Sequence, residues 1–164
     1  MDKQQKTILT VVGILLAVAI VATVIVYFVT RNESDFTPPD FDVAAKKGYP
    51  TVTDPAAQFQ KVTASENFAF SMCLCPTYEN GAARICFASE ITNQAYLLIR
   101  LYDADGELIG QSGLVKPGQY VESVAISLVP TKDMDISAKI FSYEPNTYYS
   151  MGTVSGELNL RVAK

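Results

Sequence analysis

The stretch Val154-Ser155-Gly156-Glu157-Leu158-Asn159-Leu160-Arg161-Val162 decides the fold class. Successive side chains of a strand point to opposite faces. Val154, Leu158, Leu160 and Val162 therefore share one face, and Ser155, Glu157, Asn159 and Arg161 share the other. A strand of this kind is half buried, with its apolar side seeking a second layer and its polar side meeting water. The same period recurs upstream in Asn67 to Cys75, where Phe68, Phe70, Met72 and Leu74 alternate with small or polar residues. Further strands are expected at Ala83 to Ser89, Ala95 to Tyr102, Leu108 to Leu114, Tyr120 to Leu128 and Ile136 to Tyr143.

The turns agree with this reading. Asn80-Gly81 and Asp105-Gly106 supply the left-handed conformations that tight hairpins require. Lys116-Pro117-Gly118-Gln119 has Pro and Gly at the central positions of a type II turn. About seven short strands within roughly a hundred residues predict an all-β domain, an Ig-like or jelly-roll antiparallel β-sandwich.

Ahead of the strands the chain changes character twice. From Arg31 to Glu66 it carries Pro38-Pro39, Pro50 and Pro55 among charges of both signs, which predicts a Pro-rich stalk over 31–66. From Thr7 to Thr30 it reads TILTVVGILLAVAIVATVIVYFVT without a charge. At about 1.5 Å per residue such a run covers the roughly 30 Å hydrocarbon core of a bilayer. In lipid a helix satisfies all its own backbone groups, so the Val and Ile content does not count against one. Tyr27 and Phe28 lie near its end, where aromatic rings favour the interface.

A secretory signal has a shorter apolar core and a small-residue cleavage site, neither of which fits Tyr27-Phe28-Val29-Thr30. The run predicts an uncleaved anchor in contact with membrane lipid. Lys3 and Lys6 precede it, against Arg31, Glu33 and Asp35 after it. The positive-inside rule then predicts a cytoplasmic tail (1–6), a transmembrane helix (7–30) and an extracellular β domain (67–164) at the plasma membrane.

Composition narrows the function. With a net charge of −4 the chain lacks the basic footprint of a nucleic-acid binder. Histidine is absent, which removes the commonest general base and metal ligand. Cys73, Cys75 and Cys86 lack the fourth soft ligand of a zinc site, so neither a metal nor another cofactor is expected. If Asn80-Gly81 is a two-residue turn, counting back along the hairpin sets Cys75 opposite Cys86, close enough for a disulfide, although Pro76 interrupts the ladder between turn and pair. Three free thiols are the alternative.

Asp103, Asp105 and Glu107 suggest calcium, but they stand where a hairpin turn needs Asp and Gly in any case. Glu79, Glu90, Asp103 and Glu122 show no spacing that selects a catalytic pair. With no nucleophile motif either, an enzyme is not expected. Tyr143, Tyr148 and Tyr149, around the loop Pro145-Asn146-Thr147, are candidates for contact with a partner protein.

The run Ile99-Arg100-Leu101-Tyr102-Asp103-Ala104-Asp105-Gly106, continuing through Leu114-Val115-Lys116-Pro117-Gly118, resembles the FxLYD-type domains of bacterial surface lipoproteins and membrane proteins, with Ile99 where that pattern has Phe. From Ile91 to Val162 the chain is also similar to Firmicutes proteins made of an N-terminal anchor and one Ig-like domain. The resemblance implies a fold and a surface location and supplies no catalytic residues. The function expected is a membrane-anchored binding or structural module of the bacterial envelope that engages another envelope or extracellular protein. A pilin-like filament subunit is the alternative, weakened because Lys6-Thr7 precedes the run and no Glu lies within it.

Overall fold

Strands that are apolar on one side need an opposing layer, and two sheets supply it. The structure, a computed structural model, describes residues 37–64 and 68–163. In chain order the strands are β1 (Lys46–Lys47), β2 (Phe59–Thr63), β3 (Ala69–Cys73), β4 (Thr77–Glu79), β5 (Ala82–Arg84), β6 (Phe87–Ser89), β7 (Tyr96–Tyr102), β8 (Leu108–Gln111), β9 (Gln119–Val121), β10 (Val124–Ala125), β11 (Met134–Tyr143) and β12 (Ser150–Val162). The single helical element among the described residues is a 3₁₀ turn at Pro55–Ala57. One sheet has the order β1-β9-β6-β3-β2 and the other β10-β5-β4-β12-β11-β7-β8. Every strand pair is antiparallel except β12 with β4, which run parallel through Arg161↔Thr77 and Val162↔Tyr78.

Both sheets feed one core. Phe70, Met72, Phe87 and Val121 come from the five-stranded sheet, and Leu97, Ile99, Leu101, Ile140, Leu158 and Leu160 from the seven-stranded sheet. The seven-stranded sheet curls until its edges touch. Gly110 of β8 bridges Ile126, just beyond β10, with Ser127 N–H donating to the Ile109 carbonyl at 2.8 Å. A side chain at Gly110 would stand 2.5 Å from the Ala125 carbonyl oxygen, so only glycine allows the seam to close. Closure removes the exposed strand edges that invite aggregation.

Several expectations are met and several are corrected. The turn at Asn80-Gly81 pairs Glu79 with Ala82 as counted, with φ of 51° and 82° at its two residues. Lys116 to Gln119 is a turn with Gly118 at φ 72° and Gln119 N–H donating to the Lys116 carbonyl at 3.0 Å. The strand expected from Ala83 to Ser89 is broken into β5 and β6, which belong to different sheets. Beyond Pro38 the stretch expected to be a stalk is part of the same compact unit as the strands, Pro38–Lys164. There β1 pairs with β9 and β2 with β3.

The segment 48–58 crosses the outer face of the five-stranded sheet as a strap. Cys73 and Ser71 point to that face because Phe70 and Met72 take the inner one. Buried Pro50 and Ala57, with Val52 against the thiols, give the strap its apolar underside. The run from Thr7 to Thr30 lies outside the described residues, and among those no helix is long and apolar enough to cross a membrane.

Candidate interaction face

The outer side of β7 carries Tyr96, Leu98, Arg100 and Tyr102, because Leu97, Ile99 and Leu101 occupy the core. Strand β11 sets Tyr143 opposite Tyr96 and Phe141 opposite Leu98. Leu98 is fully buried despite its outward position, since Leu114 and Tyr143 cover it. The next layer is cationic on aromatic. The Arg100 guanidinium lies 4.9 Å from the Phe141 ring centre, and Lys139 Nζ lies 4.8 Å from that of Tyr102.

Toward the other end of β7 a row of rings reaches the surface. Phe41 meets Tyr96 edge-on at 5.1 Å, and Tyr96 lies 6.2 Å from Tyr148. Phe41 is held there by backbone pairing of its neighbours: Leu114 N–H donates to the Asp40 carbonyl at 2.8 Å, and Asp42 N–H to the Leu114 carbonyl at 3.0 Å. Asp42 Oδ2 also accepts from Gly113 N–H at 2.9 Å. Lys116 Nζ sits 4.2 Å above the Phe41 ring. This geometry attracts the ammonium to the ring face.

The loop after β11 is organised by Glu144. Its carboxylate accepts from the Thr147 N–H at 2.6 Å, the Thr147 hydroxyl at 2.7 Å and the Asn146 N–H at 3.0 Å. Those hydrogen bonds, led by the Thr147 hydroxyl, hold the carboxyl below its ordinary range. Tyr148 takes a left-handed φ of 56°, which turns its ring toward Tyr96, while Tyr149 is left 77% exposed.

Lys116 also lines a groove of about 540 Å³ with Lys47, Gly48, Tyr49, Ile91 and Gly118. Ile91 lies across Gly118 and is 76% exposed. No carboxylate is among the lining residues. Behind the groove the Tyr49 hydroxyl is hydrogen-bonded to Glu90 and Ser71. Glu90 also accepts from Ser71 at 3.1 Å and pairs with Lys61 at 3.2 Å. Burial alone would raise the Glu90 carboxyl, but the hydrogen bonds from Tyr49, Lys61 and Ser71 outweigh it and hold the group low. Burial and the bond to Glu90 push the Tyr49 phenol up.

Of the three tyrosines singled out by sequence, Tyr143 and Tyr148 pack together in one cluster, and Tyr149 stands apart at the surface. Phe41, Ile91 and Lys116 come from three distant segments and carry no such sequence signal, and Tyr96 shows in the sequence only as part of the strand expected from Ala95 to Tyr102. The carboxylates considered for catalysis are engaged separately. Glu122 accepts from Lys46 at 2.6 Å, Glu90 lies under the strap, and Glu79 flanks its turn. Asp103 Oδ1 accepts the N–H groups of Asp105 at 3.0 Å and Glu107 at 2.9 Å.

The cysteines are not arranged as the hairpin count implied. Ladder pairing from the turn ends at Thr77↔Arg84, and the Cys86 thiol is hydrogen-bonded to that of Cys73, with Cys75 outside the pair. The physical reason is a change of sheet between Arg84 and Phe87, where Cys86 adopts φ 49°. All three thiols are free.

No family model, no curated protein and no solved structure matches the chain.

Proposed function

We propose that the chain is a membrane-tethered binding module of the bacterial envelope, anchored through 7–30 with its N-terminus in the cytoplasm. Its β domain, an Ig-like or jelly-roll sandwich of FxLYD-like type, stands outside and engages another envelope or extracellular protein. The observation that carries this reading is the continuous belt from the Tyr49–Ile91 groove, through Lys116 and Phe41, to Tyr96 and Tyr148, with exposed Tyr149 next to Tyr148 in the chain. It joins exposed apolar groups to two lysines, in a chain whose net charge is −4. Aromatic anchors rimmed by charge are the usual composition of a protein-binding patch. The two lysines favour an acidic, apolar segment on the partner.

A photoreactive residue placed at Ile91 or Tyr149 in the full chain on intact cells tests this. The expected result is one discrete protein adduct that is lost in a Lys47→Glu, Lys116→Glu double variant and absent when the probe sits at Glu157, on the outer face of β12. Equal labelling at all three positions, or none, removes the reading. Protease treatment of intact cells tests direction separately, because protection of the β domain would reverse the topology.

A further inference from the structure

Cys73 and Cys86 meet where the long hairpin passes from one sheet to the other. The β3–β6 ladder ends at Ser71↔Ala88, and beyond it Cys73 N–H donates to the Ile85 carbonyl at 2.8 Å, which brings the neighbouring, left-handed Cys86 up against Cys73. Neighbouring strands lie about 4.7–4.9 Å apart, so two cysteines whose side chains pack together across them lie within the reach of a disulfide. Their thiols are already in contact, and both residues are at most 2% exposed. Ala57, Val52 and Phe59 close over them. A narrow opening bounded by Thr53, Asp54, Thr77 and Arg84 leads in. Cys75, two residues from Cys73, is half-buried and outside the contact.

We propose that Cys73 and Cys86 form a dithiol site that a low-molecular-weight disulfide converts to a cross-strand disulfide, with the strap 48–58 controlling entry. Cys86, as thiolate, attacks one sulfur of the donor R–S–S–R, giving a Cys86 mixed disulfide and releasing R–S⁻. Cys73 then loses its proton to solvent, and its sulfur attacks that of Cys86 and expels the second R–S⁻. Two protein thiols lose two electrons and two protons, and the donor becomes two R–SH. The order follows from the surroundings: the bond from Cys73 and the nearby Arg84 favour the Cys86 thiolate, whereas Cys73 keeps its proton as the donor. The Asp54 carboxylate, at the rim of that opening, pairs with Arg161 at 2.7 Å and so ties the strap down beside it. Nothing in this chemistry depends on the anchor or on a partner protein.

The test uses the purified full chain, oxidised glutathione as the probe, and mass spectrometry of the intact protein after alkylation. The wild-type protein is expected to lose two of its three thiols, with a mass loss of about 2 Da before alkylation and no retained glutathione. A Cys75→Ser variant is expected to lose both remaining thiols in the same way. Retention of both thiols in that variant, a stable glutathione adduct on that variant, or a Cys75–Cys86 bond mapped in the wild-type protein would each overturn the assignment. An Asp54→Ala variant is expected to oxidise several-fold faster, and an unchanged rate would remove the strap from the account.

Discussion

The hairpin of β11 and β12 stays in one sheet along its whole length, pairing from Met134↔Leu160 to Tyr143↔Ser150 with one irregularity at Ser142/Tyr143. The hairpin from β3 to β6 starts in the five-stranded sheet, turns over at Asn80-Gly81 in the seven-stranded sheet, and returns. The straight hairpin buries its core face by simple alternation. The bent one must reorient its side chains at a corner, where Pro76 and the left-handed Cys86 interrupt both ladders. One chain therefore closes its core with regular strands on one side and a built corner on the other.

The bent side is cut most deeply at its apolar core. Phe87 is fully buried and packs 5.9 Å from Phe70, the two rings joining the strands that lead into and out of the corner. Phe87→Ala should destabilise the domain by about 3–5 kcal/mol, read as a lower denaturation midpoint in urea. A loss under about 1.5 kcal/mol would mean that the corner collapses onto the cavity and is softer than the straight hairpin.

The two hairpins meet at Arg161, which makes it the next place to cut. From the end of β12 its Nε donates to the Cys75 carbonyl at 3.1 Å, and a terminal nitrogen reaches the Thr77 hydroxyl at 3.0 Å and Asp54 at 2.7 Å. One side chain thus ties the straight hairpin to the corner and to the strap. Arg161→Met keeps the apolar stem but leaves the Cys75 carbonyl without this donor, an expected loss of about 1–2 kcal/mol. The same variant should speed amide exchange at Leu74 and Cys75, whose N–H groups bond to Gln58 and Ala57 of the strap segment. Unchanged exchange there would show that the strap is held by its apolar underside alone.

This contrast also explains what could be read in advance. The β12 alternation and the Asn80-Gly81 register are local, because each follows from the side-chain period of two or from left-handed turn residues. The parallel contact of β12 with β4 involves two residue pairs brought together by the corner, and no local pattern encodes it. Pro50 and Pro55 read as linker signals because proline cannot donate to a ladder. Here the same stiffness suits a strap that gains burial only after the sheet beneath it has formed. The interaction belt divides in the same way. Tyr148 and Tyr149 stood out beside a loop signal, whereas Phe41 reaches Tyr96 through a docked lead-in that composition alone presents as solvent-exposed chain.

The smallest effect separates the two turns by acid. The bent hairpin turns on backbone conformation at Asn80 and Gly81, neither of which titrates in acid. The straight hairpin's loop is closed by the Glu144 carboxylate, held below its ordinary value first by the Thr147 hydroxyl and then by backbone N–H groups. A carboxyl lowered in the folded state adds stability that is present above the unfolded value, about 4.3, and lost as pH falls through the lower folded value. Glu144→Gln should therefore melt slightly below the wild-type protein at pH 7, and the gap should close on acidification past that range. The hydrogen bonds are open to solvent, so the gap is small. Comparing melting temperatures at neutral and acid pH decides it: a gap that persists in acid would trace to the lost geometry of the loop, and the straight hairpin's turn would then be as insensitive to protons as the bent one's.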